Sequence, residues 1–205
     1  MPTAAPPPVV VLASRSAARA SLLRGAGVEF AQAEAVVDEA GVREALRAEE
    51  VSAEDAAVVL AELKAELVSG RAGPGTVVIG GDQILDLEGE WLEKPGDRAA
   101  ARAQLLKLRG RRHRLVSAAV AFRNGARVWH HVQAAEVWVR PFGEAFLDAY
   151  LDEAGDAVLG SVGAYHLEGL GAQLMSRVEG DFFTVLGMPL LPLLQFLRDQ
   201  GVLRA

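Results

Sequence analysis

One short stretch, residues 77–83, constrains the fold of this chain more than any other. Residues 77–79 are three β-branched side chains in a row, and they follow a turn-rich Gly/Pro segment. Such a run is typical of a strand buried on both faces of an α/β sheet. Gly80 and Gly81 end the predicted strand, and Asp82 projects from its carboxyl end, where open α/β sheets bind ligands. Taken alone, a Gly-Gly-Asp sequence is common in ordinary turns, so it does not by itself predict a ligand-binding cleft.

Length, composition and charge limit the class of protein. The 205 residues, 51% of them hydrophobic, suit one domain or two small lobes with a helix-rich core. No apolar run approaches the roughly 20 residues that span a bilayer, so we expect no membrane association and a cytoplasmic location. The absence of cysteine excludes disulfides, thiolate catalysis and Cys-bound zinc. The net charge of −6 argues against nucleic-acid binding, although local cations can still hold a single nucleotide.

The N-terminal region predicts an anion site. We expect the Pro/Ala-rich residues 1–8 to be a disordered tail and order to begin at Val9, with a buried strand, a Ser/Arg loop and a helix capped by Ser16. Free amides at that helix N-terminus would attract phosphate, and Arg15 or Arg19 would add charge-assisted hydrogen bonds. A capped helix with solvated arginines is the alternative.

Further charged candidates lie in the first half of the chain. Residues 28–37 predict an extended segment closing on an acidic pair that includes Glu39, which is either a hydrophilic turn or a metal-ligand source. A helix beginning at Ser52 carries Lys64 beside its apolar stripe, where a lysine is usually solvated. Lys94 precedes a proline that fixes the backbone, so it is either held toward a polyanion or an ordinary turn residue.

The second half alternates strands, helices and a glycine-rich loop. Residues 115–122 and 127–139 predict two strands joined at an Asn-Gly turn. A helix over residues 143–154 precedes residues 160–171, whose glycine density indicates a backbone lying close to another group. Pro189 begins a last amphipathic helix.

These features resemble, in chain order, the motifs of the Maf family of nucleoside triphosphate pyrophosphatases. Each motif alone is short, but eight in the same order over nearly the whole chain are specific. The matching segments are residues 12–19 (LASRSAAR), 38–39 (DE), 60–65 (LAELKA), 79–82 (IGGD), 94–95 (KP), 108–113 (LRGRRH), 163–165 (GAY) and 180–189.

The resemblance implies a fold and an activity. Residues 9–205 would form a single domain of two lobes, an α/β protein with a mixed sheet, flanking helices and a central cleft, similar to the inosine triphosphate pyrophosphatases. Such proteins, commonly homodimers, hydrolyse a nucleoside triphosphate between the α and β phosphates with Mg²⁺ or Mn²⁺, which keeps non-standard nucleotides out of nucleic acids. We expect the nucleotide to be the main partner.

The resemblance also implies roles for individual residues. The expected catalytic residues are two acids and two cations: Asp82, Glu39, Lys64 and Lys94. Both acids are expected metal ligands, and Asp82 would activate the attacking water, directly or through the metal. The expected substrate-binding residues are Ser14, Ser16, Arg19, Gln83, Glu168 and Arg15. Their positive charges and backbone amides would bind the triphosphate and disperse its charge of about −4.

Departures from the family pattern concern the phosphates and the base. Ala18 stands where much of the family has Arg, which leaves the phosphate to the neighbouring arginines. Gln83 and Glu168 resemble the branch that prefers 7-methyl-GTP, and the Glu168 carboxylate suits the N–H donors of guanine and a cationic methylated base. Residues 163–165 instead resemble the branch that prefers dTTP and UTP.

Several functions therefore stay open at the level of sequence. We favour a 7-methyl-GTP pyrophosphatase, with a dTTP/UTP pyrophosphatase as the alternative within the family. A regulatory protein of cell division and septum formation, binding nucleotide with little turnover, is an alternative of another class. Another nucleotide or sugar-phosphate hydrolase on a related fold is the last, and the retained acids and lysines favour an enzyme.

Overall fold

The computed structural model describes residues 9–204, so the tail expected at residues 1–8 lies outside the described residues. The strands are β1 Val10–Ala13, β2 Ala31–Gln32, β3 Val77–Leu87, β4 Glu90–Leu92, β5 Arg112–Arg123, β6 Ala126–Val139 and β7 Met175–Glu179. The α-helices are α1 Ala17–Gly25, α2 Glu39–Ala48, α3 Ala53–Ser69, α4 Arg98–Leu108, α5 Glu144–Ala154, α6 Phe182–Val185 and α7 Leu190–Asp199. Short 3₁₀ helices form at Gly155–Gly160, Val162–Ala164 and Leu170–Leu174.

The strands form one mixed sheet in the order β2-β1-β3-β5-β6-β7, with β4 also paired to β3. Strand β1 is parallel to β2 and β3, whereas the remaining pairs are antiparallel. This arrangement confirms the predicted α/β class with a mixed sheet and flanking helices, while the division into two lobes stays a prediction. Within residues 9–204, no helix combines the length and apolar character needed to cross a bilayer.

Helices cover both faces of the sheet. Helix α3 packs against even-numbered positions of β3 and β5, such as Val78 and Val120. Helices α1 and α7 pack against odd-numbered positions, such as Ile79 and Ala121. A third cluster joins the C-terminal part of β3, including Leu85, to α4 and α5. Successive side chains of a strand point to opposite faces of the sheet, so neighbouring residues of β3 belong to different clusters.

Strand β3 continues through its two glycines, so the predicted strand end at Gly80 and Gly81 is wrong. One edge of β3 pairs with β5 along nearly its whole length. The other edge pairs with β1 only as far as Gly80, and with β4 only from Leu85. Residues 81–84 therefore lack a neighbouring strand on that edge. The opening that we expected at a strand end arises from this gap between β1 and β4.

Helix α3 comes unusually close to β3 at Gly80. A β-carbon built there would lie 2.0 Å from the carbonyl oxygen of Ala61 and 2.9 Å from the β-carbon of Ala65. The missing side chain thus lets two backbones pack together directly. Lys64 lies between these two alanines in sequence, so the contact also fixes the position of its side chain.

Most helix ends follow the predicted signals. Ser16 caps α1 by accepting a hydrogen bond from the amide of Arg19, and Ser52 caps α3 in the same way. Helix α2, however, was not predicted. The extended segment expected over residues 28–37 contains only the short β2, and Asp38 is the N-cap of α2, accepting a hydrogen bond from the Gly41 amide at 3.1 Å.

The glycine-rich stretch packs against β5. The hydroxyl of Tyr165 lies 2.7 Å from Nε2 of His113, and both side chains are buried. The hydroxyl of Tyr150 donates to the carbonyl oxygen of Ala164, which holds a left-handed φ of 58°. Burial raises the pKa of Tyr165 and lowers the pKa of His113 to about 4. His113 is therefore neutral in the fold at ordinary pH.

We expect Gly80→Ala to destabilise the protein by about 3 kcal/mol, because the added methyl group overlaps the backbone of α3. Urea unfolding followed by circular dichroism measures the change. Gly25→Ala is the matched control, since nothing lies within 4 Å of a β-carbon at that helix end, and its effect should stay within about 0.5 kcal/mol. Equal stability of the Gly80 variant and the wild type would contradict the packing argument.

Buried His113 predicts a loss of stability in mild acid. The unfolded chain protonates this histidine below its ordinary pKa of 6.5, whereas the folded chain does so only near pH 4. The unfolded state therefore binds the extra proton as pH falls from 6.5 to 4, at a total cost to folding of about 3 kcal/mol. His113→Gln should remove this part of the pH dependence, measured by urea unfolding at pH 7, 6 and 5. Parallel stability curves for the two proteins would refute the assignment.

Candidate active site

A cavity of about 750 Å³ opens beside the uncovered edge of β3. We call it the site cavity. Ten residues on its wall are those that the sequence marked: Ser14, Arg15, Ser16, Arg19, Glu39, Lys64, Asp82, Gln83, Lys94 and Glu168. Strands β1 and β3, helices α1, α2 and α3 and the glycine-rich stretch bring them together from distant parts of the chain.

Asp82 is the buried carboxylate of the site cavity. Its Oδ1 accepts a hydrogen bond from Nζ of Lys64 at 2.7 Å, and its Oδ2 accepts one from a terminal nitrogen of Arg43 at 2.7 Å. Only 4% of the Asp82 side chain is exposed. A buried charge is tolerated when it is paired and hydrogen-bonded, and both oxygens meet that condition here.

Lys64 joins the two acids. Its Nζ lies 2.7 Å from Asp82 and 2.8 Å from Oε1 of Glu39, and the ammonium is almost fully buried. The solvated lysine considered from sequence is therefore wrong, since α3 turns this side chain toward β3. Glu39 lies in the first turn of α2, with its side chain 44% exposed. It thus borders the solvent side of the site cavity, while Asp82 lies deeper.

Arg19 crosses the opposite face of β3, over Gly81. A β-carbon at Gly81 would lie 3.2 Å from the side chain of Arg19, so the second glycine makes room for a cation. The guanidinium donates to the Gly187 carbonyl oxygen at 2.8 Å and to Oγ of Ser14 at 3.3 Å. Burial lowers the pKa of Arg19, and the nearby Asp82 opposes that shift. These bonds hold a buried positive charge against the site cavity.

The start of α1 offers backbone donors. Ser14 accepts a hydrogen bond from the amide of Ser16, and Ser16 caps the helix. The next two amides, of Ala17 and Ala18, lie in the first helical turn, where no intrahelical acceptor exists. Arg15 forms an exposed ion pair with Glu34 at 3.0 Å. The local geometry therefore favours Arg19 over Arg15 as the inner cation.

Lys94 and Glu168 stand at the rim of the site cavity, both exposed. Partial burial lowers the pKa of Lys94, and the positive charge of Arg19 lowers it further. Glu168 lies 3.5 Å from Nδ1 of His166 on the glycine-rich stretch. The side chains of Lys94 and Glu168 are thus accessible to a ligand at the rim.

Gln83 is held by its amide nitrogen. This nitrogen donates to Oγ of Ser117 and to the carbonyl oxygens of Thr184 and Val185, at 3.0 to 3.1 Å. Two of these partners can only accept hydrogen bonds, which fixes the orientation of the amide. Gln83 would therefore meet a ligand through its carbonyl oxygen.

The carboxylates of the site cavity fit a magnesium-type ion that also binds substrate. Within residues 9–204, no group of three or more His, Asp or Glu side chains is placed to hold a metal. Glu39 and Asp82 nevertheless flank the same ammonium at 2.8 and 2.7 Å. Mg²⁺ commonly takes one or two carboxylates and completes its shell with water and phosphate. These two acids would suffice for such an ion.

Arg43 is the one buried cation of the site cavity, among the described residues, that the sequence did not mark. It lies on α2, the helix that was not predicted. A signal was present, because Val42 and Leu46 are spaced one turn apart after Asp38, as in an amphipathic helix with an N-cap.

Comparisons with known proteins found relatives that match nearly the whole chain. A nucleoside triphosphate pyrophosphatase from Paramagnetospirillum magneticum is 56% identical over 193 residues, covering 94% of this chain and 99% of that protein. A 7-methyl-GTP pyrophosphatase from Brucella abortus is 47% identical over 191 residues, covering 93% and 96%. A solved structure of a nucleoside-triphosphatase, or dITP/XTP pyrophosphatase, from Mycobacterium abscessus has a TM-score of 0.41 and 20% identity over 63% of this chain and 73% of that chain, too distant to add to the description.

The family profile described as Maf-like protein matches residues 9–200, which is nearly all of the described range. The motifs that carried the resemblance lie within this match, from the Ser/Arg loop before α1 to the turn before α7. On the extent of that match and the identity to its relatives, the chain belongs to the Maf-like protein family.

Proposed function

We propose that this chain hydrolyses 7-methyl-GTP between the α and β phosphates, giving 7-methyl-GMP and pyrophosphate. The coarser statement, that it is a nucleoside triphosphate pyrophosphatase, follows from its family and from relatives at 47 to 56% identity. One observation carries the proposal. The ten residues marked by the family resemblance line a single cavity, with the carboxylate of Asp82 buried between two cations.

The charges of the site cavity suit a triphosphate. A triphosphate carries about four negative charges, which repel an attacking nucleophile until cations spread them. Arg19 and Lys64 supply inner positive charge, and Lys94 supplies it at the rim. The first-turn amides of α1 add uncharged donors.

Asp82 is the expected base for the attacking water. Water attacks one phosphorus of the α–β anhydride, the bond from that phosphorus to the bridging oxygen breaks, and the water proton passes to Asp82. A bound Mg²⁺ or Mn²⁺ would add electrostatic stabilisation of the phosphates and lower the pKa of the water. Glu39 and Asp82 are the residues that would hold the ion, with Glu39 on the solvent side.

Base recognition favours a guanine over a pyrimidine. Glu168 stands exposed at the rim, and its carboxylate accepts hydrogen bonds from N–H donors of the kind that guanine carries at N1 and N2. The free carbonyl oxygen of Gln83 is a second acceptor. A carboxylate also complements the positive charge of a 7-methylated base. Residues 163–165 resemble the branch that prefers dTTP and UTP. The hydroxyl of Tyr165, however, lies within hydrogen-bond distance of His113 inside the protein.

We also propose, from the family resemblance, that the protein is a homodimer and is located in the cytoplasm. A regulatory role with little turnover is the alternative that an activity assay separates most directly.

We expect Asp82→Asn to reduce pyrophosphate release by roughly 100- to 10,000-fold, because it removes the proposed base. Glu39→Gln should instead raise the Mg²⁺ concentration needed for half-maximal rate, with most of the rate recovered at saturating metal. Circular dichroism controls for folding, since Asp82→Asn leaves Lys64 and Arg43 without their buried anion. Comparable losses in both variants, with metal binding intact in both, would contradict the division of roles.

Steady-state assays with 7-methyl-GTP, GTP, dTTP, UTP and CTP test the substrate. We expect kcat/KM to be highest for 7-methyl-GTP, and Glu168→Gln to lower that value by roughly 10- to 100-fold while sparing UTP, because one charged hydrogen bond is lost. Glu153→Gln, an exposed carboxylate on α5 outside the site cavity, is the control. A preference for dTTP or UTP would keep the enzyme and overturn the base argument. No turnover of any nucleotide would favour the regulatory alternative.

A further inference from the structure

A buried arginine on α2 presents unused hydrogen-bond donors to the site cavity. Arg43 has only 8% of its surface exposed, and it lines the site cavity beside Lys64 and Asp82. Within residues 9–204 its side chain forms one hydrogen bond, from a terminal nitrogen to Asp82. A guanidinium carries five N–H groups in a planar fork, so most of its donors are not used by the protein.

Those remaining donors are not sealed inside the protein. In the described part of the chain, the only fully enclosed side-chain nitrogen or oxygen without a hydrogen-bond partner is Nδ1 of His113. Nε and the other terminal nitrogen of Arg43 are therefore not fully enclosed, and the residue lines the site cavity. An anion with several oxygens is the ligand that a planar fork of donors matches best.

The attachment of Arg43 is also the easier one to exchange. Lys64 and Arg43 each bind one oxygen of Asp82 at 2.7 Å. Lys64 has a second anion, Glu39, at 2.8 Å, whereas Arg43 lies 3.9 Å from Glu39. A movement of Asp82 toward water or a cation would leave Lys64 paired with Glu39, whereas Arg43 would lose its main partner. A buried guanidinium without an anion is costly, so a phosphate oxygen is its natural replacement.

Arg43 also changes the charge in the buried part of the site cavity. The whole wall carries five cations and five acids: Arg15, Arg19, Arg43, Lys64 and Lys94 against Glu34, Glu39, Asp82, Glu93 and Glu168. Among these, the buried members are three cations and one acid: Arg19, Arg43, Lys64 and Asp82. Without Arg43, the surplus of positive charge in this buried part would be halved, and a ligand of about four negative charges would be attracted less strongly to it.

We propose that Arg43 is a substrate-binding residue, which leaves Asp82 and binds the phosphate oxygens of the nucleotide and of the pyrophosphate product. The inference rests on the proposed triphosphate substrate. It adds a phosphate-binding cation on α2 to those on α1, on α3 and at the rim. The contact supplies affinity for the polyphosphate part of the ligand, independently of the base.

Titration calorimetry with inorganic pyrophosphate, without metal, measures this contact apart from turnover. We expect Arg43→Met to weaken pyrophosphate binding by roughly 10- to 100-fold, as for loss of charged hydrogen bonds. Arg43→Lys should retain part of the affinity, because it keeps the charge and loses the fork. Arg47→Met is the matched control on the same helix. Arg47 is bonded to Glu93 and the Trp91 carbonyl, lies outside the site cavity, and should leave binding unchanged.

A second variant separates phosphate binding from a purely structural role. Ala18 lies on the wall of the same cavity, in the first turn of α1. Adding Ala18→Arg to Arg43→Met supplies a new cation there and should restore pyrophosphate affinity, although it cannot restore the bond to Asp82. Unchanged pyrophosphate binding in folded Arg43→Met, with only kcat reduced, would overturn the proposal and make Arg43 a positioning residue for Asp82.

Pyrophosphate binding and nucleotide hydrolysis test the Arg43 contact and the proposed function separately. Arg43-dependent pyrophosphate binding in a wild-type protein that hydrolyses no nucleotide would support the contact and remove the activity. Hydrolysis of a nucleotide with binding and KM independent of Arg43 would support the activity and remove the contact. A wild-type protein that neither binds pyrophosphate nor hydrolyses a nucleotide would overturn both. Thermal unfolding of each variant establishes that the comparison is between folded proteins, and Arg43→Lys stands in if Arg43→Met does not fold.

Discussion

The close contact between α3 and β3 at Gly80 is the constraint on which the rest of the site depends. It sets how near Lys64 comes to the strand, and so determines that an ammonium can bridge Asp82 and Glu39 at hydrogen-bond distance. Once these charges are buried, each must have a partner, because an isolated buried charge is far more costly than a paired one. Helix α2 supplies Arg43 to the second oxygen of Asp82.

The pairing of charges also shapes how the site cavity meets a ligand. In the described structure Lys64, Arg43, Asp82 and Glu39 neutralise one another, so the inner wall is prepared for a polyanion without being destabilised by unpaired cations. Binding then exchanges partners instead of creating charges. Rigid elements hold three of the cations, since Arg19 is fixed by the Gly187 carbonyl, Lys64 by α3 and Arg43 by α2. Such preorganisation reduces the reorganisation needed at the moment of reaction.

Local signals in the sequence predicted most helices and strands, and the family resemblance marked ten of the residues that line the site cavity. Capping residues such as Ser16 and Ser52 act within one turn, so their effect is visible without the fold. The continuation of β3 past Gly81 was not predictable in this way, because it depends on pairing with residues of β5 that lie 28 to 36 positions away along the chain. Arg43 was missed for a related reason: no family motif includes it, and its role arises only when α2 folds over β3. Sequence motifs marked most of the charged residues of the site cavity, whereas how deeply each of them is buried depends on tertiary packing.

The alternation of β3 has a consequence for how this chain can vary in length. Gly80 and Asp82 face α3, while Gly81 and Gln83 face Arg19 and the segment before α7. Inserting or deleting a single residue between the start of β3 and Gly80 would reverse both sets. The acid would then point to the arginine of α1. An insertion would also place Ile79 against the backbone of α3, whereas a deletion would place Gly81 there. A substitution along this strand leaves unchanged the face of the sheet to which each residue points, whereas a single insertion or deletion changes that face for Asp82.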